Sequence, residues 1–361
     1  MRYVSSNCLR EGQVLAKDLA FDLKRPLLRR GVALSSSQIQ KITELGIQGV
    51  YINDNLSEDL EIANVISDEL RHRAKQEVRT MLVGASVGFG KSTRFVKTIK
   101  LKSVISDIVS EIMTNRSTMV NMVDIRTYDD YTLSHSINVA VLSCVLGVVL
   151  NLNAIMLNEL AMGALLHDIG KVFIDKKIIN KPGKLTPDEL KEARRHSALG
   201  HAYLVPSKDM PENSKLVVLC HHEQFNGCGY PHGLAGEDIH LYGRIACVAD
   251  VYDALVSERP YRSPKRAFLP SDAVEYVMAG YNSMFDPEIV DAFTKRIAPY
   301  PIGTCVKLSN GEVGIVVLNY EFACMRPKIR LIRDNKPTGE YINLAEDHST
   351  LNITIQDVVN I

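Results

Sequence analysis

Eight of the ten histidines of this chain, those at 135, 167, 196, 201, 221, 222, 232 and 240, fall within one third of its length. The middle of that stretch reads His167-Asp168-Ile169-Gly170-Lys171, and further on comes His221-His222-Glu223-Gln224-Phe225-Asn226-Gly227-Cys228-Gly229-Tyr230-Pro231. Imidazole nitrogens and carboxylate oxygens gathered in this way are the donors that a cluster of divalent metals needs, and they suit Fe, Mn, Zn or Ni without selecting one. Neighbouring residues on a helix point about 100° apart. His167 and Asp168 can therefore serve adjacent ions, with the two-oxygen carboxylate bridging them. A lone histidine is more often an ordinary hydrogen-bonded side chain. The weight lies in the ordered set, so His201, His232, His240 and His348 keep the ordinary reading.

Such ligands need rigid support, and apolar helical runs supply it. His167-Asp168 ends the run Leu160 to Leu166, His221-His222 follows Leu216 to Cys220, and Asp250 ends Ile245 to Ala249 with Asp253 one turn later. From residue 95 to about 300, apolar positions recur at three and four, with Gly and Pro at junctions. Phe268 to Ala279 reads as one helix, and Pro287 with Asp286 as N-cap opens the next. The apolar run Val139 to Leu150 is shorter than the roughly 20 residues of a bilayer span, and reads as a buried core helix.

Around this helical part the texture differs. Residues 1 to about 53 read as a small α/β unit. Leu27 to Gly31 reads as a strand and turn, Ser35-Ser36-Ser37 caps a helix to Leu45 that Gly46 ends, and Val50-Tyr51-Ile52 is a short strand. Ser57 to Leu82 is helical in pattern, with Ala63, Ile66, Leu70, Ala74, Val78 and Met81 on one stripe. That stripe suits either packing in its own domain or a coiled-coil seam, which leaves a homodimer open. Gly84 to Thr93 resembles a phosphate-binding loop only superficially, because Ala85 stands where the motif needs its first glycine; it reads as a hinge. After Pro301, Thr304–Leu308 and Val313–Leu318 flank Asn310-Gly311, a hairpin signal, and Lys328–Arg333 and Tyr341–Leu344 add strands.

The chain has 42 basic and 42 acidic residues, interspersed, in a length of 361. That argues against a protein held on a nucleic-acid polymer or a membrane surface by bulk charge. Seven cysteines without paired spacing read as reduced thiols and point to the cytoplasm. The N-terminal Met1-Arg2-Tyr3-Val4 lacks the apolar core of a signal peptide.

His167-Asp168 with the downstream His221-His222-Glu223 and Gly227-Cys228-Gly229-Tyr230-Pro231 resembles the HD-GYP family, bacterial metal-dependent phosphodiesterases acting on cyclic dinucleotides, chiefly cyclic di-GMP. The likeness extends to Tyr131-Thr132-Leu133-Ser134-His135-Ser136, His196, Ala249-Asp250-Val251-Tyr252-Asp253-Ala254-Leu255 and Arg259-Pro260-Tyr261-Arg262, over roughly residues 125 to 300. Together with the readings above, it gives a mainly α protein: a small α/β accessory domain over 1–54, a helical linker over 55–124, an all-helical catalytic domain over 125–300 and a small β-rich appendage over 301–361.

Carried over by position, the resemblance implies that His135, His167, Asp168, His196, His221, His222 and Asp250 are metal ligands, with Asp168 bridging. It further implies that Lys171 faces the scissile phosphate or leaving oxygen, that Gly229 and Tyr230 border the substrate, and that Arg259 and Arg262 hold phosphate and base. Some members carry a glutamate four residues before the first histidine for a third metal. Tyr131 stands there, which points to two divalent ions, Fe or Mn ahead of Ni, Zn or Mg. Asn226 replaces the usual aspartate, and Cys228 is also unusual for the family. The implied reaction is attack of a hydroxide shared by two ions on phosphorus, giving linear pGpG, GMP or both. A mixed cyclic GMP-AMP substrate and a non-catalytic cyclic-dinucleotide receptor are the rival readings. The N-terminal unit resembles accessory domains found ahead of HD-GYP domains and suits sensing, dimerisation or docking, as the Tyr230 loop suits a protein partner. Asp18, Asp22 and Asp54 form no acidic cluster of the kind a receiver domain carries.

Overall fold

The structure, a computed structural model, describes residues 1–19, 26–45, 47, 49–62, 64–88, 99–116, 118–120, 131–257 and 268–361, and its backbone separates into two compact units. Met1–Asn64 and Ile297–Ile361 belong to the first; Val65–Thr118 and Asp130–Arg296 form the second.

In the first unit, β1 (Arg2–Ser5), β2 (Val14–Leu15) and β3 (Gly49–Asn53) form an antiparallel sheet in the order β1-β3-β2. Helix α1 (Ser36–Glu44) begins at the expected serines. Ser35 caps it by accepting from the Gln38 amide at 3.3 Å, while Gln38 Oε1 accepts from the Ser35 amide at 2.8 Å. Its buried Ile42 meets Val4, Leu15, Leu34, Val50 and Ile52 in one apolar cluster. The strand expected over Leu27–Gly31 shrinks to a single bridge between Leu28 and Leu19, because the chain turns at once through a left-handed Gly31. Gly46 lies outside the described residues.

The C-terminal strands β4 (Cys305–Leu308), β5 (Val313–Leu318), β6 (Lys328–Arg333), β7 (Lys336–Asn343) and β8 (Ile355–Val358) make an antiparallel sheet in the order β7-β6-β5-β4-β8. Asn310-Gly311 joins β4 to β5 as the sequence predicts. The β6–β7 turn is made by Asp334 and Asn335, both left-handed, the geometry that matches strand twist in a two-residue hairpin. This sheet and the front of the chain share one core, in which Leu56 and Leu60 meet Cys305, Ile315 and Ile332. Arg330 adds a pair with Asp59 at 2.6 Å, and Arg2 bridges Asp54 Oδ2 at 2.7 Å and the Ile361 carbonyl at 2.8 Å. The sequence reading set 1–54 and 301–361 apart, whereas the structure joins them through contacts that no local pattern announces.

The second unit is helical: α2 (Asp68–Gly88), α3 (Ile99–Thr114), α4 (Tyr131–Val149), α5 (Ala154–Leu166), α6 (Lys176–Ile179), α7 (Pro187–Arg194), α8 (His196–Leu204), α9 (Glu212–Cys220), α10 (Leu241–Val256), α11 (Pro270–Ala279) and α12 (Pro287–Arg296). Helices α4 and α5 are apolar nearly all round because they form its centre, packed on each other and on α10 and α9. The window Thr132–Val149 is long and apolar enough to cross a membrane, yet 83% of it is buried within this unit. Capping is written locally: Asn153 caps α5, Thr186 and Glu189 box α7 behind Pro187, and Asp286 accepts from the Glu288 amide at the head of α12.

The helix read from Ser57 begins only at Asp68, because Ser57 turns back on Asp54 and Ser67 is held ahead of α2 by Glu111. Leu70, Ala74 and Val78 are buried where α2 lies on α3 and α4, so this stripe is used inside the unit rather than left free for a coiled-coil seam. Ala63 lies outside the described residues, as does the end of the Gly84–Thr93 segment; Gly84 to Gly88 continue α2 rather than form a hinge.

The segments that carry Asp168 and His196 meet backbone to backbone. A Cβ on Gly170 would fall 1.9 Å from the His196 carbonyl and 2.6 Å from the Gly200 nitrogen, so only glycine lets the turn after Asp168 touch α8. Gly170→Ala should lower the melting free energy by about 2 kcal/mol or more, the upper part of the overpacking range. Gly84→Ala, with nothing within 4 Å of its new methyl, should be neutral or slightly stabilising. Denaturant melts check both; a Gly170→Ala protein as stable as the parent contradicts this close approach.

Candidate metal centre

Four histidines are anchored by Nδ1. His167 donates to the Ala164 carbonyl at 2.7 Å, His196 to Ala193 at 2.8 Å and His221 to Val218 at 2.9 Å, each reaching back one turn of helix or so. His135 instead donates to Asp253 Oδ2 at 2.6 Å. Since a carbonyl can only accept, the proton of His167, His196 and His221 sits on Nδ1 and their Nε2 lone pairs are free. The Nε2 atoms converge: His135 and His167 bring theirs to 3.2 Å, and His196 and His221 bring theirs to 3.3 Å.

Two sets of donors result. Asp168, His196, His221 and His222 form one, and His135, His167 and Asp250 the other; within each set the ligand atoms lie within 4.8 Å of one another. Asp168 stands between them. Its Oδ1 is 3.5 Å from His196 Nε2, while Oδ2 is 3.3 Å from His167 Nε2 and 3.7 Å from His135 Nε2. Asp250 similarly faces His135 at 3.1 Å with Oδ1 and His222 at 3.6 Å with Oδ2. All seven sequence-predicted ligand residues are thus brought together, at the ends of α5 and α9, the start of α8 and along α4 and α10.

The electrostatics of the pocket suit cations. Asp168 is 4% exposed and its Oδ1 has no hydrogen-bond partner. A buried carboxylate oxygen in that state is costly unless a cation meets it. Burial would raise the Asp168 carboxyl, but Lys171, His167 and His196 outweigh it and hold the group well below the usual carboxylate range. Asp250 is held down likewise, mainly against burial by its bond from His135. Burial pushes His221 and His196 down and His222 to about 3, so these rings are neutral donors at pH 7. Burial also opposes charge on His135, but Asp250 and Asp253 raise it to about 9. The neutral rings of His196, His221 and His222 and two ionised carboxylates, one with an orphaned oxygen, are donors that fit divalent ions, and a cation would take the place of the His135 Nε2 proton.

Lys171 Nζ lies 2.5 Å from Asp168 Oδ2 with its side chain 32% exposed, so it stands at the mouth of the pocket. The Tyr230 ring lies over His222, with centroids 4.7 Å apart, and the Arg194 guanidinium covers it at 5.1 Å. Burial, with Asp250 and Asp168 nearby, pushes the Tyr230 hydroxyl upward, so it stays protonated. Gly229 permits the loop to fold against its own start: a Cβ there would fall 2.3 Å from the Gln224 nitrogen. Arg259 and Arg262 lie outside the described residues, as does the Tyr131 side chain.

Sequence reasoning gave no role to three residues. Asp253 orients His135, a task its position one turn beyond Asp250 could have suggested. Glu223, beside the histidine pair and 1% exposed, pins the loop by accepting from the amides of His232 at 2.8 Å and Leu234 at 3.1 Å. Arg194 carries no spacing signal at all.

The HD domain family matches residues 91–289. A cyclic di-GMP phosphodiesterase of Pseudomonas aeruginosa is 31% identical over 338 residues, 86% of this chain and 80% of its own. A 3′3′-cGAMP-specific phosphodiesterase of Vibrio cholerae is 35% identical over 172 residues, 47% of this chain and 36% of its own. Among solved structures, an HDG"Y"P protein from Bdellovibrio bacteriovorus superposes with a TM-score of 0.52 at 17% identity, covering 80% of this chain and 97% of that one; this likeness concerns the fold alone.

The pH dependence of the metal-free protein follows from the histidines. His196, His221 and His222 have lowered values, so below about 6.5 the unfolded chain binds protons that the folded one refuses, and their stabilisation is lost as the pH falls. His135 has the opposite sign: its contribution is full below about 6.5 and is lost as the pH rises through about 9. Thermal melts in chelator should therefore peak near neutrality and fall more steeply on the acid side, where three groups act together. A melting temperature that climbs steadily toward pH 5 contradicts the neutral, buried state of these rings.

Proposed function

The chain belongs to the HD-GYP family of HD-domain phosphodiesterases, and from that premise we propose that it hydrolyses cyclic di-GMP at a centre of two divalent metal ions. The observation that carries the proposal is the division of seven donor residues, six of them buried, into two sets, with the two oxygens of Asp168 turned to different sets. His196, His221 and His222 would hold one ion and His135, His167 and Asp250 the other, with Asp168 shared. The oxygen and imidazole donors suit iron, manganese, zinc or nickel alike, and the family resemblance places iron or manganese first. When bound, such a pair supplies Lewis-acid charge to the phosphate and lowers the pKa of water to near neutrality.

The chain's own groups do the rest. Asp168 and Asp250 remain ionised and fix the polarity of the site. Lys171 holds a proton beside Asp168, where it can pass it to the ribose 3′ oxygen as the P–O bond breaks and water adds to phosphorus. One cleavage gives linear pGpG, and a second gives GMP. Tyr230, kept protonated, offers a hydroxyl hydrogen at the rim, and Gly229 lets the loop border the substrate. Arg259 and Arg262 are assigned to phosphate and base, for which a planar guanidinium is suited. The seven free thiols suit the reducing cytoplasm, where we place the protein.

Cyclic di-GMP is preferred because the relative named for it aligns with 86% of this chain. Mixed cyclic GMP-AMP is the second reading, favoured by the likeness to the Vibrio enzyme over 47% of the chain. Side-by-side turnover of both with Mn(II) or Fe(II) decides between them. His167→Ala/Asp168→Ala should lose on the order of 10³-fold or more in kcat, and Lys171→Met about 10²-fold or more, the lower end for a general acid, with circular dichroism unchanged. Undiminished turnover in the folded double variant, or release of intact cyclic dinucleotide only, overturns the proposal.

A further inference from the structure

Three of the anchored histidines rest on backbone carbonyls, which no substitution removes. His135 alone rests on side chains, and these form a buried series that leads away from the pocket. Asp253 Oδ2 accepts from His135 Nδ1 at 2.6 Å, Asp253 Oδ1 accepts from Asn138 Nδ2 at 2.8 Å, and Asn138 Oδ1 accepts from the Arg71 guanidinium at 3.0 Å. Arg71 is 7% exposed, Asn138 2% and Asp253 0%. Arg71 stands on α2, upstream of the segment that matches the HD domain family.

We infer that Arg71 is a positioning residue for His135, acting through Asn138 and Asp253 to set the ring that completes one of the two ligand groups. An amide side chain has a donor end and an acceptor end, and Asn138 must present its donor end to the Asp253 carboxylate. A fixed, permanently charged donor on the other side, Arg71, determines which way round the amide sits. Without it, nothing in this series prevents the amide from turning its oxygen toward Asp253, and two acceptors would then face each other in a buried site. Asp253 would lose the bond that holds it against His135, and with it the ring orientation that turns Nε2 toward His167 and the donor set. Ser257 Oγ, at 3.4 Å from Asp253 Oδ2, is too distant to replace that bond.

The inference rests on His135 being a metal ligand, so the experiment separates the two claims. Mn(II) is titrated into the metal-free full chain and into Arg71→Gln, with circular dichroism as a fold check and cyclic di-GMP turnover recorded at each metal concentration. The parent should bind two ions. The variant should keep one at parental affinity and bind the second about 10- to 100-fold more weakly, the usual effect of losing outer support to a ligand. Its kcat should return toward the parental value at saturating Mn(II), and Arg71→Lys, which keeps a cationic donor, should recover part of the affinity. A folded Arg71→Gln that binds both ions as the parent does, or that loses both equally, overturns the inference. If Arg71→Gln does not fold, Asn138→Ala carries the same expectation with Arg71 in place. A parent that binds no Mn(II) defeats the two-ion reading itself and the inference with it.

Discussion

Two pairs of imidazole Nε2 atoms approach to 3.2 and 3.3 Å around a carboxylate with one unsatisfied oxygen, in a largely buried helical site. Such a concentration of unpaired acceptors opposes folding, since each buried polar atom without a partner costs roughly 1–3 kcal/mol. The arrangement persists because every ring is fixed from behind. Nδ1–H bonds to Ala164, Ala193, Val218 and Asp253 prevent the rings from turning their donor ends inward and relieving the repulsion. The same fixing leaves a preorganised set of donors for cations.

The helices follow from that requirement. Helices α5 and α9 end at the pocket, α8 begins there, and α4 and α10 pass beside it, so short side chains from each reach one place. Close contact between the turn at Gly170 and α8 brings Asp168 to His196, and no larger residue permits it. Beyond the ligands, Glu223 pins the loop that carries Tyr230, and Lys171 and Arg194 bring positive charge to the open side. An anionic diester meeting this surface finds cationic groups at the rim and the histidine–aspartate cluster beneath.

Much of this was legible in the sequence, for reasons that differ by residue. His167-Asp168, His221-His222 and Asp250 stand beside apolar helical runs, so their types and spacing already imply a shared face. Ser35, Asn310-Gly311 and Asp286 carry local signals for a cap, a turn and a cap, and each acts within four residues. What escaped depends on distance along the chain. Leu56 and Leu60 meet Cys305 and Ile315 across some 250 residues, so two terminal segments that read as separate share one core. The start of α2 was read too early because the apolar stripe continues back through Ile66, while Ser67 and Glu111 stop the helix before it. Arg71 looks like any basic residue on an amphipathic helix until the fold places Asn138 against it.

If seven side chains hold two divalent ions with Asp168 common to both, the number of bound ions is the decisive quantity. Native mass spectrometry of the full chain, loaded with Mn(II) and freed of excess, should show a mass increment of two ions per chain, falling to one in His135→Ala. A folded parent chain that carries one ion or none would contradict the two-ion reading.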